Sequence, residues 1–238
     1  MKLFAKWRRR IEKKYRIVYK RGPSTVAAMF LGVAILAWGL FLLITGFPVA
    51  AYAYYTVYPA TSKVLSQAIA DTGKLAAKTA PVAHAVDVPV STDINKDVSL
   101  PEGHYLTIPS IGVDTVIWEA PYTDYETALK KGVWRVPDFA TPADYVASSN
   151  HPVILAAHRF GYLDWSQDFR LKNSFYNLPN IKAGDKIRII WDQHAYVYEV
   201  QALTEGTEIT DYSADLILYT CKFLISPVRY FVYAKLLN

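Results

Sequence analysis

Three side chains in the C-terminal half of the chain could together carry out acyl transfer. Cys221 is the only cysteine, and it ends an apolar run typical of a buried strand, which begins at Leu216. His158 also follows an apolar run, Val153–Ala157, and Arg229 opens a third run rich in aromatic and β-branched residues. A thiol, an imidazole and a guanidinium supply a nucleophile, a proton carrier and an immobile cation, the groups that acyl transfer requires.

The spacing of Cys221 and Arg229 predicts that they lie opposite each other. Seven residues separate them, and a connection that folds back as a hairpin would place the two at one edge of a sheet. His158, at the end of another strand, could then converge with them.

A lone cysteine after an apolar strand is more often a small buried hydrophobe, and an isolated histidine there more often caps the strand. The joint pattern favours catalysis for all three.

The part of the chain from His104 onward has the composition of β-strands. Short runs rich in Val, Ile, Tyr and Trp alternate with Pro, Gly and Asp. Eight short strands predict a mostly β fold, a closed eight-stranded barrel with short helices, and a helical turn is expected within Phe169–Leu178. The predicted strands are Tyr105–Ile108, Asp114–Glu119, Gly132–Arg135, Val153–Ala157, Lys186–Trp191, Tyr196–Thr204, Asp215–Thr220 and Arg229–Leu236.

The N-terminal part predicts a membrane anchor. Ten of the 26 Lys and Arg residues lie within residues 1–21, and no charged residue occurs from Gly22 to Ser62. Residues 26–47 are almost wholly apolar and about as long as the roughly 20 residues that a helix needs to cross a bilayer. We therefore expect residues 1–25 to be a cytoplasmic basic tail, residues 26–47 a single transmembrane helix and the remainder extracytoplasmic. A cleaved signal peptide is the alternative, because Ala51–Ala53 resembles a cleavage site, but the apolar run is long for one.

The charge distribution argues against nucleic-acid binding. The net charge of +5 comes from the N-terminal tail, since the rest of the chain has 16 basic and 20 acidic residues. A nucleic-acid-binding domain would spread its basic residues over a folded face.

Residues 48–103 are predicted to be a stalk or linker. Thr61–Lys78 could form an amphipathic helix with Val64, Leu65, Ile69 and Leu75 on one side, but Gly73 weakens that pattern, so a flexible spacer is favoured.

The residues around the three candidates resemble the sortase family. Ile217–Cys221 is similar to the family's Thr-Leu-x-Thr-Cys motif, with Ile217 in place of the first Thr. Ala156–His158 corresponds to the family's Ala-Gly-His motif, and Arg229 to the arginine that opens its last strand. Leu106–Val113 also looks like the family's opening strand. The resemblance covers residues 104–238, the predicted catalytic domain, while the long insertion before Gly184 leaves the subclass open.

The resemblance implies a membrane-anchored cysteine transpeptidase with Cys221, His158 and Arg229 as catalytic residues. Cys221 would attack the Thr–Gly bond of a Leu-Pro-x-Thr-Gly-like sorting signal on a surface protein. An amine of a cell-wall peptide or of a pilin would then resolve the thioacyl-enzyme. No metal or organic cofactor is required. Thr220, next to the nucleophile, is expected to contact the substrate.

Other residues and other functions are less well supported. His84, His104, His151 and His194 show no metal-ligand spacing, and we expect them to be solvated. Asp164 and Asp168 could orient His158, but surface positions are expected. Papain-like peptidases place the cysteine before the histidine, the reverse of the order here. L,D-transpeptidases have a Ser-His-Gly-Cys motif, which this sequence lacks around Cys221. A catalytically dead binding module would be expected to have lost one of the three residues.

Overall fold

The computed structural model describes residues 27–42, 60–81, 95–147, 151–223 and 226–237, which fall into two compact units, residues 1–57 and 58–238. In the first unit, residues 27–42 form a helix, α1, whose side chains are exposed. Within the described ranges, no helix is both long enough and apolar enough to span a bilayer. Residues 26 and 43–47 of the predicted span, the basic tail and His84 lie outside the described residues, so the anchor stays a prediction.

The second unit is built on a closed barrel of eight strands in the order β1-β2-β3-β4-β7-β8-β6-β5. Two neighbouring pairs, β2–β3 and β4–β7, are parallel, and the others are antiparallel. The prediction of a closed eight-stranded barrel is therefore confirmed, and each predicted strand is present with its ends shifted by no more than a few residues. The strands are β1 His104–Ile108, β2 Val113–Glu119, β3 Val133–Arg135, β4 Val153–Ala156, β5 Lys186–Trp191, β6 His194–Gly206, β7 Leu216–Cys221 and β8 Arg229–Leu236.

Alternation along the strands divides the apolar residues between two cores. Leu216 and Leu218 of β7 belong to a cluster that fills the barrel, and all of the other strands also contribute residues to it. Ile217, Tyr219 and Cys221 belong to a second cluster on the outer face of β3, β4, β7 and β8. Because successive side chains of a strand point to opposite faces, one strand can serve both cores. β4 and β7 are buried on both faces, as their continuously apolar sequences predicted.

Helices cover the outer cluster. The helix α2, Ala60–Thr79, contributes Leu65, Ile69, Ala70 and Ala76, and α3, Tyr125–Lys131, contributes two further buried residues. The remaining helices are α4, Pro142–Ala147, and α5, Gln167–Asn173, with single 3-10 turns at Pro109–Ile111 and Leu178–Asn180. The expected helical turn within Phe169–Leu178 thus lies in α5, which begins two residues earlier.

The prediction of a flexible spacer is wrong for residues 60–79. This stretch is a helix that packs on the barrel, as in the amphipathic alternative. Of the four residues predicted for its apolar side, Leu65 and Ile69 are buried but Val64 and Leu75 are exposed, and small residues make up most of the rest of the buried face. Gly73 is the point of close approach, because a Cβ atom there would lie 3.1 Å from Val136 Cγ1 and 3.2 Å from the Tyr219 hydroxyl. The glycine that weakened the helical pattern is therefore the residue that lets the helix backbone approach the barrel.

Candidate active site

The pairing of three neighbouring strands brings the candidate residues together. β4 and β7 run parallel, with Ala156 opposite Tyr219, so His158 and Cys221 each lie two residues further along adjacent strands. β7 and β8 run antiparallel, with Cys221 directly opposite Arg229. The hairpin predicted from the seven-residue spacing is confirmed. Cys221 therefore lies between the other two candidates, at one end of the barrel.

Alternation places Cys221 and Arg229 on the outer face of the barrel. Cys221 belongs to the outer cluster, and Arg229 is two residues before Phe231, another member of that cluster. Thr220 faces the other way, and its hydroxyl donates a 2.8 Å hydrogen bond to the Ala157 carbonyl. Its contact with substrate stays a prediction. The geometry favours a different role for Thr220, which is to join the end of β7 to the end of β4.

Cys221 is a buried thiol, 2% exposed. Burial raises its pKa, and the nearby positive charge of Arg229 opposes that effect. Since the thiolate is the reactive form of cysteine, the site as it stands favours the unreactive thiol. Arg229 is the group that would stabilise the thiolate.

His158 is enclosed by the helix α2 and by the loop that follows β4. Its Nε2 lies 3.0 Å from Ser66 Oγ of α2, and the same Oγ lies 3.0 Å from the Tyr162 hydroxyl. The Tyr162 and Trp165 rings meet the imidazole edge to face. His158 is 1% exposed, and burial lowers its pKa to about 3. The imidazole is therefore neutral in this structure at neutral pH.

Arg229 is held by backbone carbonyls. Its Nη1 donates to the carbonyls of Ser226 at 2.6 Å and Val228 at 3.2 Å, and its Nη2 donates to the Ala68 carbonyl of α2 at 3.3 Å. Its buried Nε has no hydrogen-bond partner in the part of the chain that the structure describes. The guanidinium is thus fixed in orientation and retains one buried donor, on the residue paired with Cys221.

Sequence reasoning missed several residues around the site. Ser66 lies within the segment predicted to be a stalk, and Tyr162 belongs to none of the motifs described above. Arg159 donates from Nη1 to the carbonyl of Lys222, the residue after Cys221, and its guanidinium lies over the Tyr230 ring. Arg159 directly follows the Ala-x-His motif. That position was the one available signal that it belongs to the site.

The remaining candidates lie elsewhere. Asp164 and Asp168 are exposed and form ion pairs with Lys130 and Lys172, as expected for surface positions. His104 stacks on Trp191 at a ring distance of 3.5 Å and is thus less solvated than expected. Within the described residues, no group of three or more His, Cys, Asp or Glu side chains could hold a metal ion.

A thiol, an imidazole and a fixed guanidinium at one end of the barrel are the groups that cysteine acyl transfer uses. The Sortase domain family profile matches residues 106–237, more than half of the chain. The chain therefore belongs to the sortase family, and this membership supports a transpeptidase enzyme. No match was found among proteins with curated descriptions.

Several solved sortase structures match this chain at low sequence identity. Sortase A from Corynebacterium diphtheriae is 19% identical, with 79% of this chain and 92% of that chain covered and a TM-score of 0.47. Sortase C from Streptococcus pneumoniae is 18% identical, with 74% and 90% covered and a TM-score of 0.47. The Clostridium perfringens Sortase D5 transpeptidase is 21% identical, with 58% and 79% covered and a TM-score of 0.43. These similarities leave the subclass undetermined.

The burial of His158 predicts a specific pH dependence of stability. Its pKa is about 3 in the folded protein against an ordinary value of 6.5, so the unfolded chain takes up a proton first as the pH falls. Protonation of the unfolded chain lowers the free energy of unfolding. This loss is small above pH 6.5 and grows as the pH falls towards 3. Between pH 7 and pH 5, we expect wild type to lose about 2 kcal/mol of unfolding free energy relative to His158→Gln.

Chemical denaturation of both proteins at a series of pH values measures this difference. His151→Gln, which removes an imidazole outside the site, is the matched control. Parallel stability curves for wild type and His158→Gln would contradict a neutral, buried His158.

Proposed function

We propose that the chain is a membrane-anchored cysteine transpeptidase that cleaves a Leu-Pro-x-Thr-Gly-like sorting signal and joins the released carboxyl group to an amine. The observation that carries the proposal is the convergence of Cys221, His158 and Arg229 at the ends of three adjacent strands. Family membership supports the reaction class. The sorting signal, the thioacyl intermediate and the acceptor are inferred from the family resemblance and from the chemistry of these groups.

In the first half-reaction, the Cys221 thiolate attacks the carbonyl carbon of the Thr–Gly bond. A sulfur–carbon bond forms, the carbonyl oxygen becomes an oxyanion, and collapse of this intermediate breaks the carbon–nitrogen bond. The departing glycine amine needs a proton, which His158 as imidazolium can supply. The products are a thioester on Cys221 and a free N-terminal glycine.

In the second half-reaction, an acceptor amine attacks the thioester carbon. The amine loses a proton to neutral His158, a new amide bond forms, and the Cys221 thiolate leaves. Water in place of the amine would give hydrolysis. The two half-reactions restore the starting protonation states, and no atom changes its oxidation state, so the scheme requires no redox partner.

Arg229 is placed to stabilise the negative charges of this scheme. Its charge favours the Cys221 thiolate, and its orientation is fixed by three backbone carbonyls. Its Nε and the Nη2 now bonded to the Ala68 carbonyl could both donate to the oxyanion. Donors fixed in advance stabilise a developing charge without reorganisation.

The substrates and acceptors are proposed by class. Surface proteins with a sorting signal would be the acyl donors, and a cell-wall peptide amine or a pilin lysine would be the acceptor. The Streptococcus pneumoniae Sortase C structure is described in terms of its pilin substrate specificity. A pilin is thus one acceptor to test here beside the cell-wall peptide.

A transpeptidation assay tests the proposed function. The full chain in detergent is incubated with a panel of sorting-signal peptides and with triglycine or a lysine peptide as acceptor, and products are identified by mass spectrometry. We expect a product in which the acyl part of one peptide is joined to the acceptor, and none with Cys221→Ala, which lacks the nucleophile. Turnover by Cys221→Ala at the wild-type rate would contradict the mechanism.

Arg229→Lys tests the role of the guanidinium. Lysine keeps the positive charge but cannot present several donors in a fixed plane. We expect peptide turnover to fall by roughly 10² to 10³, as for other lost oxyanion donors. Arg188→Lys, at an exposed position of β5, is the matched control and should retain the wild-type rate. A folded Arg229→Lys variant with unchanged turnover would remove Arg229 from the catalytic residues.

We also propose that the catalytic domain lies outside the cell, on a single-pass anchor with a cytoplasmic N-terminus. The basic residues before the apolar run support this orientation. Protease added to intact protoplasts should digest the domain while a cytoplasmic marker protein stays intact. Protection of the domain in intact protoplasts would contradict the orientation.

A further inference from the structure

His158 lies beyond the part of its strand that the barrel fixes directly. β4 ends at Ala156, and one further backbone hydrogen bond joins the Ala157 N–H to the Tyr219 carbonyl at 3.4 Å. From His158 the chain continues as a loop until α5 begins at Gln167. The orientation of the imidazole therefore depends on this loop as well as on the register of the strands.

The loop places two aromatic rings against the imidazole. The centroid of the Tyr162 ring lies 5.2 Å from that of His158, and the centroid of the Trp165 ring lies 6.0 Å from it, both edge to face. The two aromatic rings also contact each other, with centroids 5.3 Å apart. Because edge-to-face contacts depend on the angle between rings, they favour one orientation of the imidazole.

Trp165 is held in place on three sides. Its Nε1 donates a 3.1 Å hydrogen bond to the Lys130 carbonyl in the last turn of α3, and its ring packs against Phe169 of α5, with centroids 5.0 Å apart. On the third side the ring lies against Gly161, where a Cβ atom would overlap it. Gly161 also has a φ of +70°, which glycine adopts without strain.

Arg170 of α5 holds the backbone of the same loop. Its Nε donates to the Phe160 carbonyl at 2.8 Å, and its Nη2 donates to the Tyr162 carbonyl at 3.1 Å. These two carbonyls belong to the second and fourth residues after His158. Since a guanidinium presents its donors in a rigid plane, one side chain fixes both carbonyls relative to each other and to the helix.

The helix that carries Arg170 is itself joined to the barrel. The Thr115 hydroxyl of β2 donates a 2.9 Å hydrogen bond to the side-chain oxygen of Asn173, the last residue of α5. Shortly after the helix, the N–H of Phe175 donates to the His158 carbonyl at 2.9 Å, and Phe175 is fully buried in the barrel core. The loop is therefore connected to the barrel through α5 as well as through β4.

Arg170 affects the imidazole through the geometry of the loop rather than through its charge. Burial is the cause of the lowered pKa of His158, and no charged group contributes to it. The polar groups that face the imidazole are the Ser66 hydroxyl, 3.0 Å from Nε2, and beyond it the Tyr162 hydroxyl. Replacement of Arg170 by another cation should therefore not preserve its effect.

We propose that Arg170 is a positioning residue for proton transfer by His158, because it holds the loop whose aromatic rings orient the imidazole. The proposal rests on the proposed function in taking His158 as the group that protonates the departing amine. A displacement of about 1 Å can cost about 10²-fold in rate. The segment between β4 and β5, which carries α5, would then contribute to turnover without contacting the thiol or the substrate.

Two variants loosen the loop from opposite sides. Arg170→Lys keeps the charge but loses the planar pair of donors, and Gly161→Ala adds a Cβ atom where the Trp165 ring lies. Each has a matched control. Arg188→Lys makes the same change at an exposed position of β5. Gly184→Ala makes the same change at a φ of +89°, where an added Cβ atom meets nothing within 4 Å.

Nuclear magnetic resonance of the histidine rings reports the orientation of the imidazole directly. The full chain has five histidines, and in detergent at pH 7 with ¹³C-labelled histidine the signal of His158 is the one that His158→Gln lacks. We expect this signal to move towards that of free histidine in Arg170→Lys and Gly161→Ala, because the aromatic rings no longer hold the imidazole. Both controls should keep the wild-type signal. An unchanged His158 signal in both loop variants would overturn the proposal.

A thioester peptide distinguishes positioning of the proton donor from a general effect on structure. When Cys221 attacks a peptide thioester, the leaving group departs as a thiolate and needs no proton, whereas the amine of a Thr–Gly amide does. At saturating peptide, we expect Arg170→Lys to cleave the amide about 10-fold to 100-fold more slowly than wild type. Acylation by the thioester should stay within about twofold of the wild-type rate, because it does not use the positioned imidazolium. Equal slowing of both reactions, or unchanged amide cleavage, would overturn the proposal.

The same measurements separate this proposal from the proposed function. If the thioester acylates wild-type Cys221 but no sorting-signal amide is cleaved, the proposed function fails, and the resonance of His158 alone decides whether Arg170 orients the imidazole. If wild type and Arg170→Lys cleave the amide at the same rate, the proposed function stands and the positioning role of Arg170 fails.

Discussion

The placement of β7 between a parallel and an antiparallel neighbour is the constraint on which the site depends. Parallel pairing with β4 aligns the ends of two strands, and antiparallel pairing with β8 brings the start of a third to the same edge. The strict alternation of side chains then selects the face. A shift of one residue in either register would turn one of the three groups into the barrel. Thr220 illustrates the effect of such a shift. It is adjacent to Cys221, its side chain lies on the opposite face of β7, and its hydroxyl donates to the Ala157 carbonyl.

Desolvation links the covering of the site to its chemistry. Burial favours the neutral form of the thiol and of the imidazole, because it removes the water that would solvate their charged forms. The positive charge of Arg229 opposes this effect on the pKa of the Cys221 thiol, and no such charge is a cause of the lowered pKa of His158. The element that excludes solvent therefore also decides the protonation states. In this protein α2 supplies part of that cover, because Ser66 contacts His158 and the Ala68 carbonyl accepts a hydrogen bond from Arg229.

The sequence predicted the barrel well and the helical cover poorly, for physical reasons. Strands such as Lys186–Trp191 are rich in β-branched residues and bounded by turns, so their existence follows from local pattern. The docking of α2 depends on Gly73 and on alanines, which have little apolar signal of their own. Close approach of two backbones is favoured by small residues, and a pattern based on large apolar residues misses it. Ser66 could not be predicted for a different reason. Its contact with His158 exists only after the helix has docked.

The proposed function depends above all on acylation of Cys221 by the substrate. The most direct test is intact-protein mass spectrometry of the full chain after brief mixing with a reactive sorting-signal peptide in the absence of an acceptor amine. The account predicts an added mass equal to the acyl part of the peptide, located by proteolytic mapping on Cys221 and released by hydroxylamine as expected for a thioester. Peptide cleavage without such an adduct under single-turnover conditions, or an adduct on another residue, would contradict it.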